Sequence, residues 1–261
     1  MTARNNEDRV GAIPATPPPP SLEQPRAKSE TTFSFTTPTE FVELPSCGRY
    51  YPSEHPLYGV DTLEIRYMTA KDEDILTSRS LLKKGIAIER MLENILVDKN
   101  IKVDDLLVGD KNALIVAARV TGYGEDYETK IICPACTETV GYTFDLTDKK
   151  MNAGGELIAH DVRETESGTF LIKLPVSKVD LEVRFLTGHD EKKLAEISER
   201  RRKHNLSEAV LTDQFRQMIV SVNGDNKMET VGSFIDAMPA QDSRHLRPVS
   251  YTHLRAHETD S

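Results

Sequence analysis

Apolar residues follow two different periods between residues 39 and 247. Runs in which apolar and polar residues alternate predict strands, and stripes in which apolar residues recur every three or four positions predict amphipathic helices. No internal repeat of fixed period is evident. Because strands precede helices in two successive blocks, the order predicts a mixed α+β fold rather than a parallel α/β sheet. The predicted strands lie at 41–44, 62–68, 127–132, 140–144, 169–174 and 180–185.

Helices are predicted where such a stripe is bounded by a start or a stop signal. Thr69 can cap a helix whose first turn holds Asp72 and Glu73, and acidic residues suit the positive end of the helix dipole. Asp104 and Asp105 are interpreted as the cap of a later helix. Helices are predicted at 86–96, 190–203, 208–222 and 231–237, and further helices are predicted to start at 69, near 110 and at 240. The two clearest apolar stripes belong to the helices at 86–96 and 208–222. The first consists of Ile88, Met91, Leu92 and Ile95, and the second of Leu211, Phe215, Met218, Ile219 and Val222.

The N-terminal residues differ from this core in composition. Seven of the 14 prolines precede residue 40, and the run Pro17–Pro20 favours an extended polyproline II conformation. Residues 1–38 are therefore predicted to form a disordered, proline-rich tail. A binding segment for a proline-recognising partner is the less favoured alternative.

The C-terminal segment matches a translated sequencing adapter. Val249–Ser261 can be encoded by the mosaic end and primer site of a transposase-type adapter, and Pro248 by a mixed codon. Such a segment is excluded from reasoning about the fold, which removes His253 and His257 as candidate ligands. We therefore expect a truncated sequence whose native continuation after Arg247 is missing. The predicted organisation is a tail at 1–38, an α+β core with a cysteine hairpin at 39–148, a truncated second α+β part at 149–247 and an adapter-derived segment at 248–261.

Charge and composition argue against several classes of function. The 261-residue chain carries 33 Lys and Arg against 42 Asp and Glu, a formal net charge of −9. Broad nucleic-acid binding is disfavoured because it needs basic patches that neutralise phosphates. No apolar run reaches the roughly 18–20 residues of a membrane helix, and no secretory signal is evident. We find no phosphate loop, nucleophile elbow or metalloprotease helix, and we predict that the protein is not an enzyme.

Cys133-x-x-Cys136 is the sharpest local motif, and it lies between two predicted strands at the tip of a hairpin. A thioredoxin-like redox pair is disfavoured because such a pair normally starts a helix. Half of a zinc ribbon fits better, since the turn directs two thiolates at one metal ion, although Zn²⁺ takes four ligands. Cys133 and Cys136 are thus candidate zinc ligands. Cys47 is distant from this pair in the sequence, and His55 or His160 could act as a further zinc ligand only if the fold brings it near. The third alternative is that the two cysteines bind no metal.

Six segments of the first half form a distinctive set, namely Phe41–Pro52, His55–Gly59, Ile65–Leu76, Leu82–Gly85, Val97–Ile101 and Leu106–Ala113. Together they resemble the baseplate hub subunit family of T-even-like contractile-tailed bacteriophages. The resemblance covers about residues 39–247 and is densest at 41–145. It implies a second Cys-x-x-Cys nearer the C-terminus that would complete a zinc ribbon, and this sequence departs from the family by lacking that pair.

The resemblance implies a structural or assembly role at the central hub of the phage tail baseplate. Such a subunit acts through contacts with other baseplate or tail proteins rather than by catalysis. It would be located in the virion, after assembly in the host cytoplasm, with no membrane partner. The alternative is a zinc-ribbon module that binds nucleic acid or has a regulatory role. Nucleic acid is an unexpected partner, because Lys130 is outnumbered by Glu125, Asp126, Glu128 and Glu138 near the cysteines.

The loop Pro45–Gly59 is rich in tyrosine and proline. Exposed aromatic residues dominate the energetics of many interfaces, so this loop is a candidate contact surface. The equally weighted alternative is that Tyr50, Tyr51 and Tyr58 pack on the core.

Overall fold

The computed structural model describes residues 36–134, 136–147 and 162–251. The chain divides into two units, Met1–Thr36 and Thr37–Ser261. Except for Thr36, the first unit lies outside the described residues, and so does almost all of the predicted tail at 1–38. The second unit combines helices with short antiparallel strands, which confirms the predicted α+β class.

The second unit opens with a two-stranded antiparallel sheet. Strands β1 (Thr39–Glu43) and β2 (Thr62–Arg66) pair directly and are joined by the long loop 44–61. The predicted strands at 41–44 and 62–68 are thus confirmed. The elements that follow are α1 (Ala70–Thr77), α2 (Arg79–Lys84), α3 (Ala87–Ile95), a 3-10 turn (Val103–Asp105) and α4 (Val108–Tyr123).

Two further sheets follow α4. Strands β3 (Asp126–Ile132) and β4 (Thr139–Asp145) form the predicted cysteine hairpin. A four-stranded antiparallel sheet has the order β5-β6-β7-β8. The remaining elements are β5 (Arg163–Glu164), β6 (Phe170–Lys173), β7 (Asp180–Val183), α5 (Gly188–Lys203), α6 (Val210–Met218), β8 (Ile219–Val222), α7 (Met228–Ala237) and α8 (Ala240–Tyr251).

One hydrophobic core includes residues from both sides of the predicted boundary at residue 148. Ile65 and Leu92 come from the first side, Leu181 and Phe215 from the second, and each is at most 2% exposed. Residues 148–161 lie outside the described part of the chain, so the boundary itself stays a prediction. The assignment of 248–261 to an adapter stays a prediction as well, although α8 continues past Arg247.

Three local interpretations were wrong. The helix predicted at 208–222 ends at Met218, and Ile219–Val222 is strand β8, which pairs with β7. Ile88, assigned to the buried stripe of α3, is 46% exposed. Asp104 and Asp105 do not cap α4, which starts at Val108; their carboxylates instead contact Lys192 and His189 of α5.

Thr69 caps α1 as predicted. Its N–H and its hydroxyl both donate to the carboxylate of Asp72, at 2.8 and 2.7 Å. Arg66 donates to both carboxylate oxygens, at 2.7 and 2.9 Å. Burial raises the pKa of Asp72, but the hydrogen bonds from Arg66, Thr69 and Asn94 lower it by more, so its pKa lies well below the ordinary value. The ionised carboxylate therefore stabilises this start of the helix.

Acid should weaken the fold through this cluster. A carboxyl whose pKa is lower in the folded than in the unfolded chain contributes stability above its unfolded pKa of about 3.9, and that contribution disappears as the pH falls toward the folded pKa. We expect the melting temperature to decline as the pH falls from about 4 to 2. In the variant Arg66→Met the pKa of Asp72 should rise, so that less of this acid-sensitive stability remains.

The check is thermal unfolding followed by circular dichroism across this pH range. Arg90→Met is the matched control, because Arg90 pairs with the exposed Glu93 at 3.1 Å on the surface of α3. An identical pH profile for the Arg66 and Arg90 variants would contradict the prediction.

Candidate interaction surface on the cysteine hairpin

The hairpin of β3 and β4 pairs with no other strand in the described part of the chain. Its two strands are in register over seven residue pairs, from Asp126 opposite Asp145 to Ile132 opposite Thr139. Nearly all of its residues are exposed. Because directly opposed residues of an antiparallel pair share one face, the register assigns each side chain to one of two surfaces.

One face of the hairpin is almost entirely apolar. Tyr127 lies opposite Phe144, Thr129 opposite Tyr142, and Ile131 opposite Val140. Tyr127, Ile131, Val140 and Tyr142 are 41–54% exposed. The Tyr142 and Phe144 rings meet edge to face, with centroids 4.5 Å apart. These residues form a continuous apolar strip, here called the hairpin face: Tyr127, Thr129, Ile131, Val140, Tyr142 and Phe144.

The charged residues of the hairpin lie on its opposite face and at its ends, and most of them are acidic. Asp126 and Glu128 occupy the opposite face together with Lys130. Between Glu125 and Asp145 the sequence has five acidic residues, Glu125, Asp126, Glu128, Glu138 and Asp145, against the single basic residue Lys130. This surface therefore lacks the basic character that binding to nucleic-acid phosphates requires.

The last turn of α4 holds the base of the hairpin. Arg119 donates to the carbonyl oxygen of Gly124 at 2.9 Å and to that of Asp126 at 3.3 Å. Gly124 has a positive φ of +88°, which glycine tolerates readily and which ends the helix. The N–H of Leu146 donates to the carbonyl of Glu125 at 2.9 Å and closes the hairpin there. The chain thus leaves α4 in a defined direction.

The cysteine turn closes the other end of the hairpin. The N–H of Cys133 donates to the carbonyl of Glu138 at 2.9 Å, and the N–H of Thr137 donates to the carbonyl of Cys133 at 2.8 Å. Cys133 is partly exposed and Cys136 exposed. No cluster of three or more His, Cys, Asp or Glu residues that could hold a metal ion occurs among the residues that the structure describes. The turn therefore brings together the two predicted ligands but adds no third one there.

Two of the other candidate ligands, Cys47 and His55, lie in the loop 44–61. His55 stacks on the ring of Tyr51, with centroids 4.5 Å apart, and its Nδ1 accepts the N–H of Leu57 at 3.1 Å. Cys47 is exposed in the same loop, with φ of 49°. His160 lies outside the described residues.

The tyrosines of the loop at 45–59 divide between the two predicted roles. Tyr50 packs against the rings of Phe170 and Phe185, and burial, assisted by Glu164, raises its pKa to about 12. Tyr51 is buried, whereas Tyr58 is 56% exposed. Core packing thus describes Tyr50 and Tyr51, and only Tyr58 remains available for a contact surface.

A buried aspartate that the sequence interpretation missed anchors this loop. Asp110, in the first turn of α4, accepts the N–H and the hydroxyl of Ser46 at 2.9 and 2.6 Å and the hydroxyl of Tyr51 at 2.7 Å. The Tyr51 oxygen in turn accepts the N–H of Leu107 at 3.0 Å. Burial and the neighbouring Asp110 raise the pKa of Tyr51 far above its ordinary value.

A comparison with protein families gives the context for these surfaces. The family model described as T4 bacteriophage base plate protein matches residues 38–174, just over half of the chain. The chain belongs to this family. The match includes the anchored loop, α4 and the whole cysteine hairpin of the baseplate protein. No curated protein and no solved structure matches the chain.

Family membership establishes the general function of the protein. The protein is a structural component of a phage baseplate, which implies a location in the virion tail and contacts with other tail or baseplate proteins. It also favours a non-enzymatic role over a catalytic one. Within the described residues, no helix combines the length and the apolar character needed to span a bilayer.

Proposed function

We propose that this baseplate protein is a subunit of the central hub and that it binds a neighbouring hub protein through the hairpin face. The observation that carries the proposal is the strip Tyr127, Ile131, Val140, Tyr142 and Phe144, which covers one side of a two-stranded hairpin. All of these residues except the half-buried Phe144 are solvent-exposed. An isolated two-stranded hairpin is only marginally stable in water. Covering its apolar side would therefore stabilise the hairpin and supply binding energy at the same time.

The surroundings of the hairpin face define the chemistry of the partner. The hairpin segment 125–145 has five acidic residues against one lysine. A partner that presents an apolar centre with a basic rim complements both properties, because opposite charges at the rim steer association and apolar contacts at the centre supply affinity.

A polar substitution at the centre of the hairpin face should weaken baseplate incorporation. Tyr142 is 51% exposed, so Tyr142→Ser should change the melting temperature little. Loss of a central aromatic anchor should nevertheless reduce affinity for the partner by at least about tenfold. The measurement is the amount of tagged protein in baseplates purified from a phage whose own copy is deleted and complemented by the variant.

Thr143→Ala is the matched control, because Thr143 lies on the opposite face of the same strand. Equal incorporation of the two variants would show that the hairpin face is not the contact. The hub location is tested separately, by gold-labelling the tag in purified baseplates. Label at the centre supports a hub subunit, and label confined to the periphery would exclude one.

We also propose that Cys133 and Cys136 supply two of the four ligands of a zinc ion, with the other two coming from outside the described residues. The two cysteines share the turn of a strand hairpin and lie close together, an arrangement that suits one tetrahedral metal. Bound zinc would fix the tip of the hairpin next to the hairpin face.

Metal analysis of protein expressed from the intact gene tests this proposal. We expect one zinc per chain, which Cys133→Ser and Cys136→Ser should each abolish. Cys47→Ser is the control and should retain the metal, because Cys47 lies in the loop 44–61, 86 residues before Cys133 in the sequence. A metal-free protein would end the zinc proposal and leave the hub proposal untouched.

A further inference from the structure

Two turns that lead from a strand into a helix contain the same five hydrogen bonds. In each turn, an arginine at the end of the strand donates to both carboxylate oxygens of an aspartate in the first helical turn and to the carbonyl of the next residue. A threonine donates to the same aspartate through its N–H and its hydroxyl. The residues are Arg66, Tyr67, Thr69 and Asp72 before α1, with donor–acceptor distances of 2.7–2.9 Å, and Arg184, Phe185, Thr187 and Asp190 before α5, with distances of 2.7–3.1 Å.

A second anchor recurs at a separate place. Asp110 and Asp242 are both fully buried and both lie in the first turn of a helix. Each accepts the N–H of the residue that follows a Leu-Pro pair: Ser46 at 2.9 Å in the first case and Val176 at 2.8 Å in the second. In both cases a late helix is tied to the end of the first strand.

The order of the elements that carry these anchors is also the same. Strands β1 and β2 are followed by α1, α3 and α4, with α2 and the 3-10 turn between these helices. Strands β6 and β7 are followed by α5, α6 and α8, with β8 and α7 between α6 and α8. After α3, Leu96 forms a bridge with Ile65 of β2. After α6, Ile219 pairs with Val183 of β7. We infer that residues 39–123 and 170–247 are two copies of one folding unit, called the N-repeat and the C-repeat.

The sequences agree with this correspondence once the structure aligns them. Residues 63–73 read LEIRYMTAKDE and residues 181–191 read LEVRFLTGHDE, with six identical positions. The sequence nevertheless shows no repeat of fixed period. The reason is the spacing: the two copies are offset by 130 residues at the Leu-Pro pair, by 118 at the arginine and by 132 at the buried aspartate. Loops of different length remove any fixed period.

The differences between the copies identify what each has gained. The N-repeat has a long connection between its strands, residues 44–61, and the additional helix α2. The C-repeat has the additional helix α7 and the four-residue strand β8, and strand β5 pairs with β6 just before the C-repeat begins. The hairpin of β3 and β4 follows α4 and lies outside the N-repeat.

Exchange of the first turn tests the inference. The quadruple variant Tyr67→Phe, Met68→Leu, Ala70→Gly and Lys71→His places the C-repeat residues in the N-repeat. Because the arginine, threonine and aspartate positions coincide, we expect a cooperatively folded protein whose melting temperature changes by less than about 5 °C.

The control has the same composition in a different order: Tyr67→Leu, Met68→Phe, Thr69→Gly, Ala70→Thr and Lys71→His. It removes the threonine from the position that donates to Asp72, and its melting temperature should fall by about 5–8 °C. The inference is overturned if the ordered exchange destabilises as much as the scrambled one. It is also overturned if the scrambled one is tolerated, because the shared turn would then anchor nothing.

Discussion

Replacing Asp110 with alanine should lower the free energy of unfolding by about 3–5 kcal/mol. The Asp110 carboxylate is fully buried and accepts three hydrogen bonds, two from Ser46 and one from Tyr51. Alanine leaves those donors buried without an acceptor, and each unsatisfied group costs about 1–3 kcal/mol. A loss of this size is a large part of the total stability of a typical domain.

Chemical denaturation of purified protein, followed by circular dichroism, measures this loss. Asp236→Ala is the control, because Asp236 is exposed and pairs with Arg216 at the surface; it should change the free energy of unfolding by less than about 0.5 kcal/mol. Tyr51→Phe should lie between the two, since it removes a single hydroxyl from the cluster. The role given to Asp110 fails if its alanine variant is no less stable than the Asp236 variant.

The amino-acid sequence predicts those elements of the fold whose cause is local. Thr69 is recognisable as a helix cap because its hydroxyl stands three residues before Asp72, and the structure contains that contact. The alternating residues on each side of Cys133 predict β3 and β4, and these strands pair as expected. Neither inference needs information about distant residues.

Elements whose state depends on tertiary contacts are predicted less well. Ile219 and Val222 continue the apolar spacing of α6, so periodicity extends that helix to residue 222. The structure uses the same β-branched residues in β8, where pairing with β7 outweighs the local helical period. No local sequence pattern shows that one edge of β7 is free to pair with a further strand.

The candidate interaction surface is predictable only in part. The cysteine hairpin is recognisable from its motif, but the apolar hairpin face depends on the register that sets Tyr127 opposite Phe144. The loop at 45–59 is a predicted contact surface because it is rich in tyrosine, and burial of Tyr51 shows how far composition misleads there. Its anchor, Asp110, lies 64 residues from Ser46, and no local pattern signals a contact of that range.

Gly188, the first residue of α5, should be highly sensitive to substitution by alanine. A Cβ atom at this position would lie 2.9 Å from the Cα of Asp104, 3.0 Å from its carbonyl oxygen and 3.1 Å from the carbonyl oxygen of Val103. These are backbone atoms, so no side-chain rotation relieves the overlap. We expect Gly188→Ala to lower the free energy of unfolding by about 2–3 kcal/mol, although alanine favours helices by about 1 kcal/mol over glycine.

Gly188→Ala should lower the free energy of unfolding because hydrogen bonds hold the start of α5 in place on both sides of residue 188. The N–H of Gly188 donates to the carbonyl of Leu106 at 3.0 Å, and the N–H of Val108 donates to the carbonyl of Leu186 at 2.9 Å. Lys192 adds a contact to Asp104 at 2.7 Å. Moving α5 away to make room for a methyl group would lengthen these bonds, and alanine at 188 therefore loses polar contacts as well as packing.

Gly232→Ala is the matched control for this effect. Gly232 lies inside α7, and a methyl group added there would meet no neighbouring atom within 4 Å, so only helix propensity acts and the protein should gain about 0.5–1 kcal/mol. Ala70 occupies the position in the N-repeat that corresponds to Gly188, which shows that the folding unit itself accepts alanine there. The two glycine variants should thus shift stability in opposite directions in the same denaturation experiment; equal shifts would mean that the contact between α5 and the 3-10 turn does not constrain residue 188.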